Sequence, residues 1–280
     1  MPNPVCLSPL KIYDDVAKQN HRKSYAYGEI HPLISRKHTV PPFQFVVPSG
    51  YNSLQKASIY SIDDSVITEQ AKQFFNNTGL TISDVSGNIV VSYPGIFSDS
   101  ATLVHEGYYY LSFEFTNGND TLTYYSEVFC CTSNTADYLE VEYWNESGNL
   151  FIKNGVVSFE NDYHFYILLD TELGKPEYSF EEEVTKRLGY SFVESQVSKK
   201  TYKFTAVIPE YLCDAMRIIR MCDNKIIRNR NDEYEAITFD MSVEWQNQGD
   251  LASAVCEFET DNVVTNLGSF KILFRSFLLY

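Results

Sequence analysis

The side chains able to carry chemistry are spread thinly along these 280 residues. Three of the five histidines, His21, His31 and His38, fall in the first stretch of the chain. His105 stands beside Glu106 ahead of a strand-like run. His164 alternates with strand residues, the setting of a hydrogen-bonded structural imidazole rather than of a general base. Paired carboxylates for glycoside hydrolysis can be assembled from Glu140, Glu142, Asp240 and Glu244. Each sits at an outward position of an alternating run, where acids form an ordinary polar face. Glu181, Glu182 and Glu183 are adjacent, and three consecutive carboxylates cannot all point at one ion, so a solvated loop is expected over 170–183. The cysteines are Cys6, Cys130, Cys131, Cys213, Cys222 and Cys256. They show no CxxC spacing and read as reduced thiols, mostly core fillers, of a protein made in a cytoplasm. The spacing leaves Cys130 with His164 open as a pair without favouring it. Glycine-rich phosphate loop, HExxH and GxSxG are all missing from the sequence. The expectation is a chain that is not an enzyme, with no catalytic residues, no cofactor and no metal.

The elements that would position such groups are mostly strands. The chain holds 21 Tyr and 19 Phe, residues that suit a pleated, half-buried surface and subunit contacts. Residues 200–208 alternate, with Tyr202, Phe204, Ala206 and Ile208 on one face. Pro209 opens a helix whose apolar positions Leu212, Ala215, Met216 and Ile219 keep helical spacing. Asp223-Asn224 ends it. A short strand over 225–228 follows. The next strand points Ile237, Phe239, Met241, Val243 and Trp245 inward, and Ala252, Ala254, Cys256 and Phe258 line a return strand. One helix on an antiparallel sheet makes a compact α+β unit. Upstream, strand-like runs at 43–47, 57–62, 89–93, 107–115 and 122–129 are punctuated by turn residues, including Asn117-Gly118-Asn119. The expected fold is mainly β with minor α. It has an N-terminal Ig-like β-sandwich over 43–133 and a C-terminal antiparallel α+β domain with one packed helix over 137–265.

Two flanking segments complete the division. Residues 1–42, rich in proline and without periodicity, read as an extended arm held by a partner. Residues 1–45 carry Lys11, Lys18, Arg22, Lys23, Arg36 and Lys37 against Asp14, Asp15 and Glu29, a basic segment on a chain of net charge −15. Residues 266–280 are apolar and strand-like, and an unpaired apolar strand aggregates unless a sheet receives it, its own or a neighbour's. The expected partner-binding residues are therefore Lys11, Arg22, Lys23, Arg36 and Lys37 in the arm, with Phe270, Ile272, Phe274, Phe277, Leu279 and Tyr280 in the extension. The acidic total disfavours tight nucleic-acid binding. The sequence shows no secretory apolar region and no membrane-length span.

Three segments resemble a known group. Leu173-Gly174-Lys175-Pro176-Glu177-Tyr178 with Glu181-Glu182-Glu183 resembles an LGKPEYxxEEE segment. Pro209-Glu210-Tyr211-Leu212-Cys213-Asp214-Ala215-Met216 with Asp223-Asn224 is similar to a PEYLxDA…DN segment. Tyr108-Tyr109-Tyr110-Leu111 and Tyr124-Tyr125-Ser126-Glu127 resemble a tyrosine-rich hairpin. Together these are similar to structural proteins of bacteriophages that infect gut Bacteroidetes, including the crAss-like phages, over roughly 43–265. The resemblance implies a virion protein of the phage tail, made in the host bacterial cytoplasm. It would be a tail ring or tail hub subunit forming a symmetric homo-oligomer and touching neighbouring virion proteins. With the acidic charge, it implies a ring that lets DNA pass without sticking. The alternative is a carbohydrate- or receptor-binding module of a tail tip, with Trp144, Trp245, Tyr108 and Tyr110 as aromatic candidates. A cell-wall hydrolase using an outward acid is a third, weaker reading.

Overall fold

The computed structural model describes residues 7–14, 32–36, 39–63, 66–68, 75, 79–95, 106–146, 148–152, 155–160, 163–245 and 251–266. The architecture is mainly β, as the alternating pattern predicts, and the one α-helix described along its whole length is short. In chain order the first half forms β1 (Ile12–Asp14), β2 (Leu33–Arg36), β3 (Phe43–Val47), β4 (Ser53–Ser61) and β5 (Val66–Thr68). It continues with β6 (Thr81–Val85), β7 (Asn88–Tyr93), β8 (Gly107–Thr116), β9 (Thr121–Ser126) and β10 (Phe129–Thr132). The second half forms β11 (Leu139–Trp144), β12 (Asn149–Ile152), β13 (Gly155–Ser158), β14 (Phe165–Leu169), β15 (Glu177–Arg187) and β16 (Tyr190–Pro209). After these come α1 (Glu210–Met216), β17 (Asn224–Asn229), β18 (Asp232–Glu235), β19 (Asp240–Trp245) and β20 (Leu251–Asn266).

Alternation in β8 sends Leu111, Phe113 and Phe115 into the core, against the small sheet β3-β7-β6. Phe43 meets Phe113 at 5.2 Å between ring centroids and stacks on Tyr93 at 5.3 Å, while Phe45 meets Tyr124 at 5.2 Å. Each such ring contributes about 2–3 kcal/mol by leaving water, with about 1 kcal/mol more per well-placed pair. The β8–β9 turn forms where Asn-Gly predicts it. Gly118 has φ of +96°, and the Asn117 side chain accepts from the Asn119 and Asp120 amides at 2.9 and 2.8 Å.

The N-terminal segment is built into this sheet. β1 pairs antiparallel with β9, and β2 lies parallel to β10 while touching β14 through the pair Leu168↔Ile34. Leu7, Leu10, Ile12, Leu33 and Val40 are buried in the chain's own core. The expected arm held by a partner is thus corrected over 7–14, 32–36 and 39–42. Its leucines and isoleucine are spaced too irregularly to show a periodic face, yet they are buried in the core.

The boundary expected between 133 and 137 does not part the sheet. One order, β1-β9-β8-β10-β2-β14-β11-β17-β18, crosses it, and one apolar cluster spans both sides. Two side chains tie the halves further. Buried Gln44 donates to Ser158 O and accepts from Ser158 N, each at 2.7 Å. The Tyr163 hydroxyl lies 2.8 Å from Phe43 O and 2.9 Å from Tyr93 O.

In the α+β part, Tyr202, Phe204, Ala206 and Ile208 face inward as expected, with Ala252, Ala254, Cys256 and Phe258 beside them. Pro209 (φ −73°, ψ 159°) closes β16 and caps α1. The helix is shorter than its apolar spacing predicts. It stops at Met216, ahead of the β-branched Ile218 and Ile219, and a single 3-10 turn, Ile219–Met221, carries Ile219 into the core. Phe239 is buried, and Met241 and Val243 pack against the core. Ile237 and Trp245, expected inward, are both more than half exposed, because Ile237 lies in a bend ahead of β19 and Trp245 is the last residue of that edge strand.

Candidate functional site

The second sheet, β15-β16-β20-β19, has a property that sets it apart. β16 runs for 20 residues, roughly 65 Å at about 3.3 Å per residue. Its later part, from Tyr202, packs on the core. Its earlier part continues as a ribbon with β15 on one side and β20 on the other. The expected acidic loop is therefore a strand. Its glutamates are solvated as predicted, but alternation with Tyr178 and Phe180 makes the run a two-faced β15.

The two ribbon faces differ chemically. On one, Glu177, Glu181, Glu183, Glu257 and Glu259 surround Lys199 and Lys203. Lys199 reaches Glu181 at 2.8 Å and Glu259 at 3.8 Å, and Lys203 reaches Glu177 at 3.0 Å and Glu257 at 3.3 Å. The hydrogen bonds to Glu181 and Glu177 raise the two ammonium pKa values. Five carboxylates to two ammonium groups leave this face acidic. The other face prolongs the core row of β16 past Tyr202. There Tyr178 and Phe180, opposite Lys200 and Ser198, are 64% and 75% exposed.

The tip is a two-residue turn, Leu188-Gly189, closing the pair Arg187↔Tyr190. Both turn residues have positive φ, 51° and 81°, as such hairpin turns require. Glycine takes this conformation freely. Leucine does so at a cost of about 1–2 kcal/mol, and here it is 98% exposed with Tyr190 beside it at 69%. The ribbon's base is set by Gly174, whose amide donates to Lys203 O at 2.9 Å. A Cβ at that position would meet the same oxygen at 2.8 Å.

A second cluster joins β2, β11, β17 and β18, with His164 just ahead of β14. The Arg228 guanidinium binds Glu140 at 2.7 Å, Glu142 at 2.6 Å and Glu233 at 2.7 Å. Arg36 pairs with Glu140 from the other side. His164 Nδ1 lies 2.7 Å from Glu142, and its ring stacks on Trp144 at 4.1 Å. Burial alone would raise the Glu142 pKa, but hydrogen bonds from His164 and Arg228 outweigh it and hold the carboxyl below its ordinary value. Both carboxylates are engaged with cations, the arrangement of a polar seam joining four strands. Among the described residues, no group of three or more His, Cys, Asp or Glu is placed to hold a metal ion. The buried thiols are pushed up by loss of water, Cys213 to about 11 and Cys222 and Cys256 to about 12. No helix among the described residues is long and apolar enough to cross a membrane.

Two of the expected partner-binding residues are occupied within the chain. Lys11 lies 5.0 Å over the Tyr13 ring. Arg36 joins the seam and lies 5.2 Å over Tyr166. Arg22, Lys23, Lys37, Phe270, Ile272, Phe274, Phe277, Leu279 and Tyr280 lie outside the described residues. Of the aromatic candidates, Tyr110 is buried, Trp144 covers His164, and Tyr108 and Trp245 stand exposed. The ribbon's apolar side chains escaped sequence reading, though Leu188-Gly189 between two alternating runs is a hairpin signal. Compared with protein-family models, curated proteins and solved structures, the chain matches none.

Proposed function

We propose that this chain is a non-enzymatic structural subunit of a bacteriophage particle that assembles into a symmetric tail ring or hub. The observation that carries the reading is the exposure of Tyr178, Phe180, Leu188 and Tyr190 on a long ribbon. Apolar side chains gathered on an extended sheet favour burial against another protein surface. The resemblance to virion proteins supports the phage assignment, because the LGKPEY and EEE residues lead into and form β15. The acidic ribbon face fits a subunit beside a DNA path, where phosphate is repelled. Location in the virion belongs to the same proposal.

The test is the size of the purified chain by light scattering across a concentration series, with electron microscopy of the assembled fraction. Rings of defined symmetry are expected. A monomer at every concentration, with no protein of this mass in purified phage particles, removes the reading. The tail-tip binding alternative rests on exposed Tyr108 and Trp245. Retention on host polysaccharide, lost on Trp245→Ala, would replace the ring reading with it.

A further inference from the structure

The ribbon has an edge that the described strands leave open. β15 ends the order β15-β16-β20-β19, so among the described residues no strand pairs with its outer side. Such an edge is a row of backbone donors and acceptors able to take a further strand. We infer that the outer edge of β15 receives residues 270–280 of a second copy of this chain as an added antiparallel or parallel strand. The inference rests on the reading of the chain as an assembling subunit and names the surface that does it.

Three observations select that occupant. The first is length: 270–280 matches the 11 residues of β15. The second is the two-sided chemistry of both strands. Written as a strand, 270–280 places Phe270, Ile272, Phe274, Leu278 and Tyr280 on one side and both of its basic residues, Lys271 and Arg275, on the other, together with Leu273, Phe277 and Leu279. β15 offers Tyr178 and Phe180, followed by Glu182, on one side and Glu177, Glu181 and Glu183 on the other. Adding one to the other can set Phe270, Ile272 and Phe274 on the side of Tyr178 and Phe180 with Lys271 and Arg275 on the side of the three glutamates, and a one-residue slip loses the match of basic on acidic. The third is where the chain leaves the described fold. Asn266 pairs with Ser195, which itself pairs with Glu183. Asn266 therefore lies partway along the ribbon, on the side opposite β15. The nearer edge of its own sheet is short. β19 occupies β20 as far as Glu257, and Ile237 N donates to Glu259 O at 2.8 Å. Among the described residues, only the part of β20 beyond Glu259 stays open there, less than an 11-residue strand needs.

Trans-complementation tests this on the full chain and two variants. One variant ends at Asn266 and keeps the receiving edge without the donor strand. The other, Glu181→Lys/Glu183→Lys, keeps the donor strand and blocks the edge with like charge. Each alone should associate at least about tenfold more weakly than the unmodified chain. Mixed, they should form a one-to-one complex, because the donor of the second fits the edge of the first. A synthetic 267–280 peptide should bind the truncated chain and inhibit assembly of the unmodified one, a readout that does not need the charge variant to fold. Unchanged assembly of the charge variant, or a peptide that does not bind, overturns the inference and leaves the subunit reading standing. A monomeric unmodified chain overturns both. A truncated chain whose ribbon amides lose exchange protection without any change in mass shows the strand pairing within its own copy, and also overturns it.

Discussion

Leu168 pairs with Ile34, and Ile34 pairs on its other side with Cys130. A residue from the start of the chain is thus the bridge between strands that follow it by about a hundred positions. Parallel pairing of β2 with β10 requires a long crossover between them, and this bridge holds the two halves as one sheet.

Removal of residues 1–36 should therefore unfold the body rather than merely prevent assembly. Leu7, Leu10, Ile12 and Leu33 would be lost from the core at about 2 kcal/mol each, comparable with the whole stability of an ordinary domain. The point variant Leu33→Ala should cost about 2–5 kcal/mol. Urea denaturation followed by circular dichroism checks both. A truncated chain with an unchanged midpoint would show that the bridge is dispensable.

Acid should loosen the polar seam. Glu142 has an ordinary value of 4.5 and is held below it in the folded chain. The unfolded chain then binds more protons as pH falls, so the stabilisation is full above the ordinary value and is lost as pH drops through the folded one. Glu142→Gln should cost about 1–2 kcal/mol at pH 7 and flatten the decline of stability between neutral and acid solution. Urea midpoints measured at pH 7 and pH 3 for both chains give the comparison. Equal slopes would assign the acid sensitivity to other carboxylates.

The strands of the core were legible because alternation and burial coincide. Phe113, Val141, Phe204 and Ala254 lie where a period of two puts them. The arm was not legible, since β1 and β2 are three and four residues long, too short for any period to show. The ribbon was hidden for the opposite reason. With both faces in water, β15 has polar residues on each side and reads as a loop until its partner β16 is known. Trp245 misled because a strand's inward row can outlast the layer it packs on.

Gly174→Ala should disturb the ribbon at its root. The added methyl would sit 2.8 Å from Lys203 O, a backbone atom within β16, so the hydrogen bond from Gly174 N must break or the strand must shift. A loss of about 1–3 kcal/mol is expected, with amide exchange speeding up in β15 before it does in the core. Uniform protection across both regions would mean that the base relaxes at no cost.

Leu188→Asn separates folding from assembly at the ribbon tip. Asparagine tolerates positive φ and is preferred in two-residue hairpin turns before glycine. Leu188 holds φ of +51° while almost fully exposed, so its own fold gains nothing visible from the leucine. The variant should be more stable as a monomer by about 1 kcal/mol. If Leu188 serves contact with a neighbouring subunit, the same change should weaken association measurably, by about fivefold to tenfold for one buried leucine contact of about 1 kcal/mol or slightly more. Thermal melting of the dilute chain and sedimentation of the concentrated chain give the two quantities separately. A rise in stability with unchanged association would place the contact surface on Tyr178 and Phe180 and not on the turn.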